Sequence, residues 1–290
     1  MTRVAIWVVL LVLALLTGCA RAPELPEGTA AAANVLIGPS AQDYLHSIAT
    51  HDWNDDGKAA GATLTWIATN ARSDDPATAE QAGHAARAIA TFLVDYRGKA
   101  LKPRLAQAMS TALVYYQPAL VGDDRGMPGF EVFADIASVR HLFAVLDGDT
   151  AAGVQFTDAA NEQVRAYLRG WADGVVARSG VTDDLLYATR LAGVVVGGQR
   201  ESGNDAIETK STQHWINLGN YEVARIYGAK PGDGYLVAEY FTPDGVLKSP
   251  DEIPRALLDR YSTALDNFAL GRRLSTLAND FDDFDAARDA

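Results

Sequence analysis

Apolar residues recur every three or four positions over most of the chain, which is the spacing of one face of an α-helix. Comparable stripes predict helices over 40–47, 58–71, 76–98, 101–115, 132–146, 157–177, 184–196, 214–227 and 250–268. Apolar and polar residues rarely alternate as they do in strands. We therefore predict an all-α protein, mainly a helical array of about 8–10 helices, with 235–241 as the one candidate for a short β segment.

Local signals mark where some of these helices begin. Asp75 before Pro76 combines an acceptor for free backbone N–H groups with a residue that fits the first helical position. Ser249 and Glu252 have the spacing of a capping box, in which each side chain accepts a hydrogen bond from the other residue's backbone N–H. We expect the last helix to follow this box.

The first nineteen residues follow a different pattern. Arg3 precedes an apolar run from Val4 to Leu16, and small residues then lead to Cys19. This three-part layout is typical of an export signal. A helix of about a dozen residues covers roughly 20 Å, which is short of the ~30 Å hydrocarbon core that a stable span must cross. We predict that 1–18 is a cleaved signal peptide.

The tetrad Leu16, Thr17, Gly18 and Cys19 resembles the lipobox of bacterial lipoproteins. The resemblance implies that the Cys19 sulfur carries a diacylglyceryl group and that Cys19 becomes the first residue of the mature protein. The expected location is the extracytoplasmic face of the cell membrane, with the lipid bilayer as a partner through acylated Cys19. The alternatives are a transmembrane anchor and a cysteine without this role.

The remaining chain divides by composition. Prolines, a glycine and an alanine run indicate that 19–38 is a lipidated cysteine with a flexible tether. A helical domain follows over 39–279, with two subdomains that are expected to meet near 197–204, where Gly197 and Gly198 would end a helix. The acidic stretch 280–290 is expected to be a disordered tail.

Composition excludes some classes of function. The net charge is -12, and removal of 1–18 takes away Arg3 and no acid, which leaves -13. An acidic chain of this kind lacks the basic surface that nucleic acid requires, so no nucleic acid partner is expected. Cys19 is the only cysteine, so neither an intramolecular disulfide nor a cysteine metal site can form.

One acidic turn matches half of a calcium loop. Asp52, Asn54 and Asp56 occupy positions 1, 3 and 5, and a glycine follows at position 6. Position 12 should be a bidentate Glu but is Thr63, so this site is only a weak metal candidate. The alternative is a capped helix start, in which Asp55 or Asp56 accepts from free backbone N–H groups. We expect no other metal and no cofactor.

No established catalytic motif occurs. The five histidines lack zinc-site spacing, and no Gly-x-Ser-x-Gly elbow is present. We therefore predict no catalytic residues. An envelope hydrolase with a site assembled from distant residues, such as His141 or His214 with an Asp, is the alternative.

A second resemblance covers roughly 40–279. The stretch from Tyr44 through His51-Asp52-Trp53-Asn54-Asp55-Asp56-Gly57 to Trp66-Ile67 is similar to a segment of actinobacterial, especially mycobacterial, helical proteins with a tetratricopeptide-repeat-like region. Those proteins are linked to type VII secretion and to polymorphic toxins. The resemblance implies a scaffold, here a non-enzymatic module that binds another envelope or secreted protein.

Overall fold

The computed structural model describes residues 22–133, 135–179, 183–277 and 281–289. Within these ranges every regular element is a helix, and the β pairing consists of one isolated bridge between Phe241 and Leu247. The prediction of an all-α protein is confirmed.

The helices differ widely in length. The α-helices are α1 Gly28–Ile37, α2 Ala41–Thr50, α3 Lys58–Ala62, α4 Thr65–Asn70, α5 Pro76–Asp95, α6 Pro103–Leu113, α7 Gln117–Leu120, α8 Ile136–Asp147, α9 Thr150–Ala177, α10 Asp184–Ser202, α11 Thr212–Tyr227, α12 Leu258–Gly271 and α13 Asp282–Asp289. Four 3₁₀ turns join them, at Val114–Tyr116, Ala238–Tyr240, Pro250–Glu252 and Arg255–Leu257.

Helix α9 is the central element of the fold. Its 28 residues extend over about 42 Å and bury Phe156, Val164, Leu168 and Trp171. It packs against α6, α8, α10 and α11. The N-terminal helices therefore reach the C-terminal ones largely through α9 and its neighbour α10.

Both predicted helix caps form, but only the one at Asp75 opens a long helix. The Asp75 carboxylate accepts from the backbone N–H of Thr78 at 3.2 Å, and Pro76 opens α5, as expected. The capping box of Ser249 and Glu252 also forms, but it heads the short turn Pro250–Glu252. Because Pro254 interrupts the helical path, α12 begins only at Leu258.

The prediction of a flexible tether over 19–38 is wrong for its second half. Helix α1 lies there, and Ala32, Ala33 and Leu36 are buried in the main core. The alanine run has high helix propensity, and packing against α5 stabilises a helix that would be marginal alone.

The acidic stretch 280–290 is also not a disordered tail over its described part. Helix α13 packs on α10 and buries Phe284 and Ala287. Arg288 pairs with Asp285 at 2.5 Å, which offsets part of the negative charge on this helix.

Gly197 and Gly198 do not end a helix. Helix α10 continues to Ser202, and Gly203 follows with φ +67°, a conformation that favours glycine after a helix. The glycine pair lies at a helix contact, where a Cβ on Gly198 would approach the Cβ of Phe143 to 2.5 Å. The predicted boundary of two subdomains near 197–204 is therefore wrong, because these residues belong to one packed helix and its cap.

The strand candidate 235–241 contains a 3₁₀ turn and forms no strand. Its apolar residues belong instead to a smaller core, which is separate from the main core. This smaller core includes Leu236, Tyr240, Tyr261, Leu265 and Phe268. We call the part of the chain over 224–273 the C-terminal lobe.

The backbone around Pro128 lies close to Gly83, and this contact gives a test of the fold. A Cβ at this position of α5 would lie 1.9 Å from the carbonyl oxygen of Pro128. We expect Gly83→Ala to lower the free energy of unfolding by about 1–3 kcal/mol, although alanine favours helices, because backbone must move to admit the methyl group. Chemical denaturation measures the change.

Gly271→Ala serves as the control, since a Cβ there meets no atom within 4 Å. We expect this variant to be as stable as the parent chain. Equal stability of both variants would contradict the contact between α5 and the turn around Pro128.

Candidate ligand-binding groove

An open groove of about 580 Å³ lies among the helices of the N-terminal part. Ala68 of α4 and Ala159 of α9 stand on two of its sides, and Val114, Pro118 and Met127 contribute further apolar surface. We call it the α4–α9 groove. Its size is in the range of ligand pockets, and its mixed lining of apolar and polar groups is typical of them.

Arg72 is the main charged group of this groove. Its guanidinium stacks on the ring of Tyr115, with 4.7 Å from Cζ to the ring centroid. Glu162 also lines the groove, but its ion pair is with Arg165, at 4.0 Å. Within the described ranges no carboxylate lies within ion-pair distance of Arg72, so its charge is available to a ligand.

The polar rim of the groove is partly held in place by the protein itself. Gln155 donates to Thr111 Oγ1 at 3.0 Å, which joins α9 to α6. Below them, the buried side chain of Gln117 donates to the carbonyl of Phe156 at 2.7 Å. These bonds orient the rim before any ligand arrives, while Gln163 adds a further amide to it.

The predicted lipidation site, Cys19 with Leu16, Thr17 and Gly18, lies outside the described residues. Over the part of the chain that the structure describes, no helix is long and apolar enough to cross a membrane.

Part of the weak calcium candidate is engaged by the protein, whereas Asn54 and Asp56 are exposed. Asp52 pairs with Lys102 at 2.5 Å. Asp55 accepts from the backbone N–H groups of Gly57 and Ala59, so the capped helix start is the arrangement that forms. Among the described residues, no group of three or more His, Cys, Asp or Glu side chains is placed to hold a metal ion.

His141 lies between two hydrogen-bond acceptors. Nδ1 contacts a carboxylate oxygen of Glu201, and Nε2 lies 2.7 Å from the carbonyl oxygen of Tyr96. Burial alone would raise the pKa of Glu201, but hydrogen bonds from His141 and Arg140 outweigh it and hold this pKa below its usual value. With both ring nitrogens engaged, His141 has no nitrogen left to activate a nucleophile.

His214 comes closer to the arrangement of a catalytic pair. Its Nδ1 lies 3.6 Å from one carboxylate oxygen of Asp251, and the other oxygen of Asp251 accepts from Arg165. Nε2 is buried and has no hydrogen-bond partner among the described residues, so no hydroxyl nucleophile stands beside it. Burial lowers the pKa of His214, against the opposing effect of Asp251.

Asp147 is a buried acid that sequence analysis did not single out. It lies at the end of α8, it is 1% exposed, and neither carboxylate oxygen has a partner within the described residues. Burial raises its pKa to about 7. Its surroundings include Gly153 and Ile207, and Asn204 donates to its backbone carbonyl at 2.7 Å. It does not line the α4–α9 groove.

Comparison with known proteins adds no family assignment. No protein-family model matches the chain, and no curated protein or solved structure matches it significantly.

The raised pKa of Asp147 predicts a pH-dependent stability. The unfolded carboxyl titrates near 3.8 and the folded one near 7, so the folded state binds more protons between these values. Stability contributed by the protonated form is therefore lost as pH rises toward 7. We expect Asp147→Asn to be more stable than the parent at pH 8 by about 1–3 kcal/mol, and nearly equal at pH 4.

Urea denaturation across this pH range measures the difference. Asp158→Asn, at an exposed position of α9, is the control and should show a small difference that does not change with pH. A constant difference for Asp147→Asn would show that the carboxyl ionises as readily in the folded protein as in the unfolded chain.

Proposed function

We propose that this chain is an exported lipoprotein whose helical domain binds another envelope or secreted protein at the outer face of the membrane. The lipobox at Cys19 supports the location. The observation that carries the binding role is the α4–α9 groove, which offers an apolar surface beside the charged Arg72. The resemblance to helical modules of secretion-associated proteins points in the same direction.

The physical basis of binding is the fixed position of the Arg72 guanidinium. Its guanidinium is held against Tyr115, so little side-chain freedom is lost when it pairs with a carboxylate. Val114, Pro118 and Met127 can cover apolar side chains of the same partner segment. The partner is therefore expected to present a carboxylate next to apolar residues.

A binding role also agrees with the hydrogen-bond partners of His141 and His214. A hydrolase needs a nucleophile within hydrogen-bond reach of its base. His141 is engaged at both nitrogens, and His214 faces no hydroxyl among the described residues.

Replacement of Cys19 tests the anchor. We expect the parent chain to be cut before Cys19, to gain the mass of a diacylglyceryl group and to partition with membranes. Cys19→Ala should remain uncleaved and lack this mass, because the alanine has no thiol to acylate. Mass spectrometry and detergent phase separation provide both readouts.

Thr17→Ser is the matched control, since it keeps a small residue in the tetrad. We expect it to be processed like the parent. Membrane-bound, uncleaved Cys19→Ala chain would mean that something other than lipidation holds the protein.

Replacement of Arg72 tests the groove. A bait of residues 20–290 is incubated with an envelope and secretion extract from its own source. We expect one near-stoichiometric protein with the parent bait. With Arg72→Glu, the apparent Kd for that protein should rise about tenfold or more, because a favourable charge pair becomes a repulsive one.

Arg260→Glu makes the same charge change at an exposed position of α12 and should leave binding unchanged. An empty eluate from the folded parent bait, or equal binding by both variants, would contradict a partner in the α4–α9 groove.

A further inference from the structure

The chain between the lipidation site and the folded domain is short. Leu25 packs against the main core, and α1 begins three residues later at Gly28. Six Cα-to-Cα steps separate Cys19 from Leu25, which span at most roughly 20 Å when fully extended. An acylated Cys19 would therefore hold the surface around Leu25 close to the lipid.

The groove next to Leu25 is lined by few charged residues, although the exposed acids Glu24 and Glu27 flank Leu25 in the chain. A groove of about 470 Å³ opens there between the start of α1 and the helices α3 and α4. Of the eleven residues that line it, Glu27 alone is charged. We call the surface formed by Leu25, Thr29, Ala62 and Thr65 the tether face, and the last three of these residues are exposed.

The charge of the rest of the molecule favours this face as the one that approaches lipid. The mature chain carries -13, and an anionic membrane surface repels acidic protein surface. Covering alanine and threonine side chains costs far less free energy than removing carboxylates from water. The covalent reach therefore selects the tether face, and the single acid in the lining of its groove keeps the cost of desolvation low.

We propose that the tether face lies against the bilayer interface, so that the protein sits on the membrane in one orientation. This inference rests on the proposed lipidation of Cys19. The polar interface on each side of a bilayer is about 5–8 Å deep, so a reach of roughly 20 Å leaves little room for the domain to turn over.

The same orientation places the α4–α9 groove near the membrane. Helix α4 begins at the tether face with Thr65 and ends next to Arg72, and its six residues extend over about 9 Å. A partner in this groove would thus meet the protein close to the lipid surface.

The orientation can be measured by energy transfer to labelled lipid. Acylation blocks the thiol of Cys19, so a single introduced cysteine gives one labelling site. Thr65→Cys places a donor on the tether face, and Leu270→Cys places one on the C-terminal lobe, where Leu270 is 61% exposed. The lipidated proteins are inserted in phosphatidylethanolamine and phosphatidylglycerol vesicles that carry an acceptor on the headgroup.

We expect transfer from position 65 to exceed transfer from position 270 by about threefold or more, because Thr65 lies on the tether face, whereas α12, which carries Leu270, packs on α11 and not on α1, α3 or α4. Circular dichroism and melting temperature confirm that both variants fold. Equal transfer, or stronger transfer from position 270, would overturn the orientation while leaving the anchor intact.

Flotation of the vesicles separates this failure from failure of the anchor. If the parent chain does not float with vesicles, Cys19 is not a lipid anchor and the orientation falls with it. If it floats and Cys19→Ala does not, the anchor holds, and the transfer ratio alone decides the orientation.

Discussion

The buried carboxylate of Asp123 is the charge on which the junction of the N-terminal and C-terminal helices depends. Its oxygens accept from the backbone and side chain of Arg125 and, at 2.7 Å, from the hydroxyl of Tyr167 on α9. Arg125 also reaches Asp184 on α10 at 2.7 Å. A buried charge left without partners costs several kcal/mol, so the loop after α7, α9 and α10 must take these positions together. The α4–α9 groove is bounded by elements fixed in this way.

Helices of this protein were predictable where their signals are local. The cap at Asp75 depends on a few adjacent residues, and it formed as expected. The predictions failed where residues distant in sequence determine the local structure. Gly197 and Gly198 look like a helix end but serve close contact with α8 and α13, and the alanine run of α1 is ordered only because α5 lies beside it. Tertiary packing of this kind leaves no mark in a short window of sequence.

The candidate groove was beyond sequence analysis for the same reason. Arg72 and Tyr115 are 43 positions apart, and neither belongs to a recognisable motif. Asp147 looked like an ordinary acid at a helix end, and only its burial separates it from exposed aspartates. His141 is a candidate catalytic residue from the sequence, yet its partner Glu201 lies 60 residues further on and makes it a link between helices α8 and α10.

The position of α13 has a consequence for the order in which the protein can fold. Its Phe284 and Ala287 close over Gly193 of α10, and the backbone of Arg288 closes over Gly197, where the small residues leave a strip of exposed apolar helix until α13 arrives. Because synthesis runs from the amino terminus, roughly 80 residues must follow α10 before that strip is covered. The growing chain thus exposes an apolar face of α10 during much of its synthesis. Its protection from aggregation in that interval must come from whatever machinery handles the growing chain.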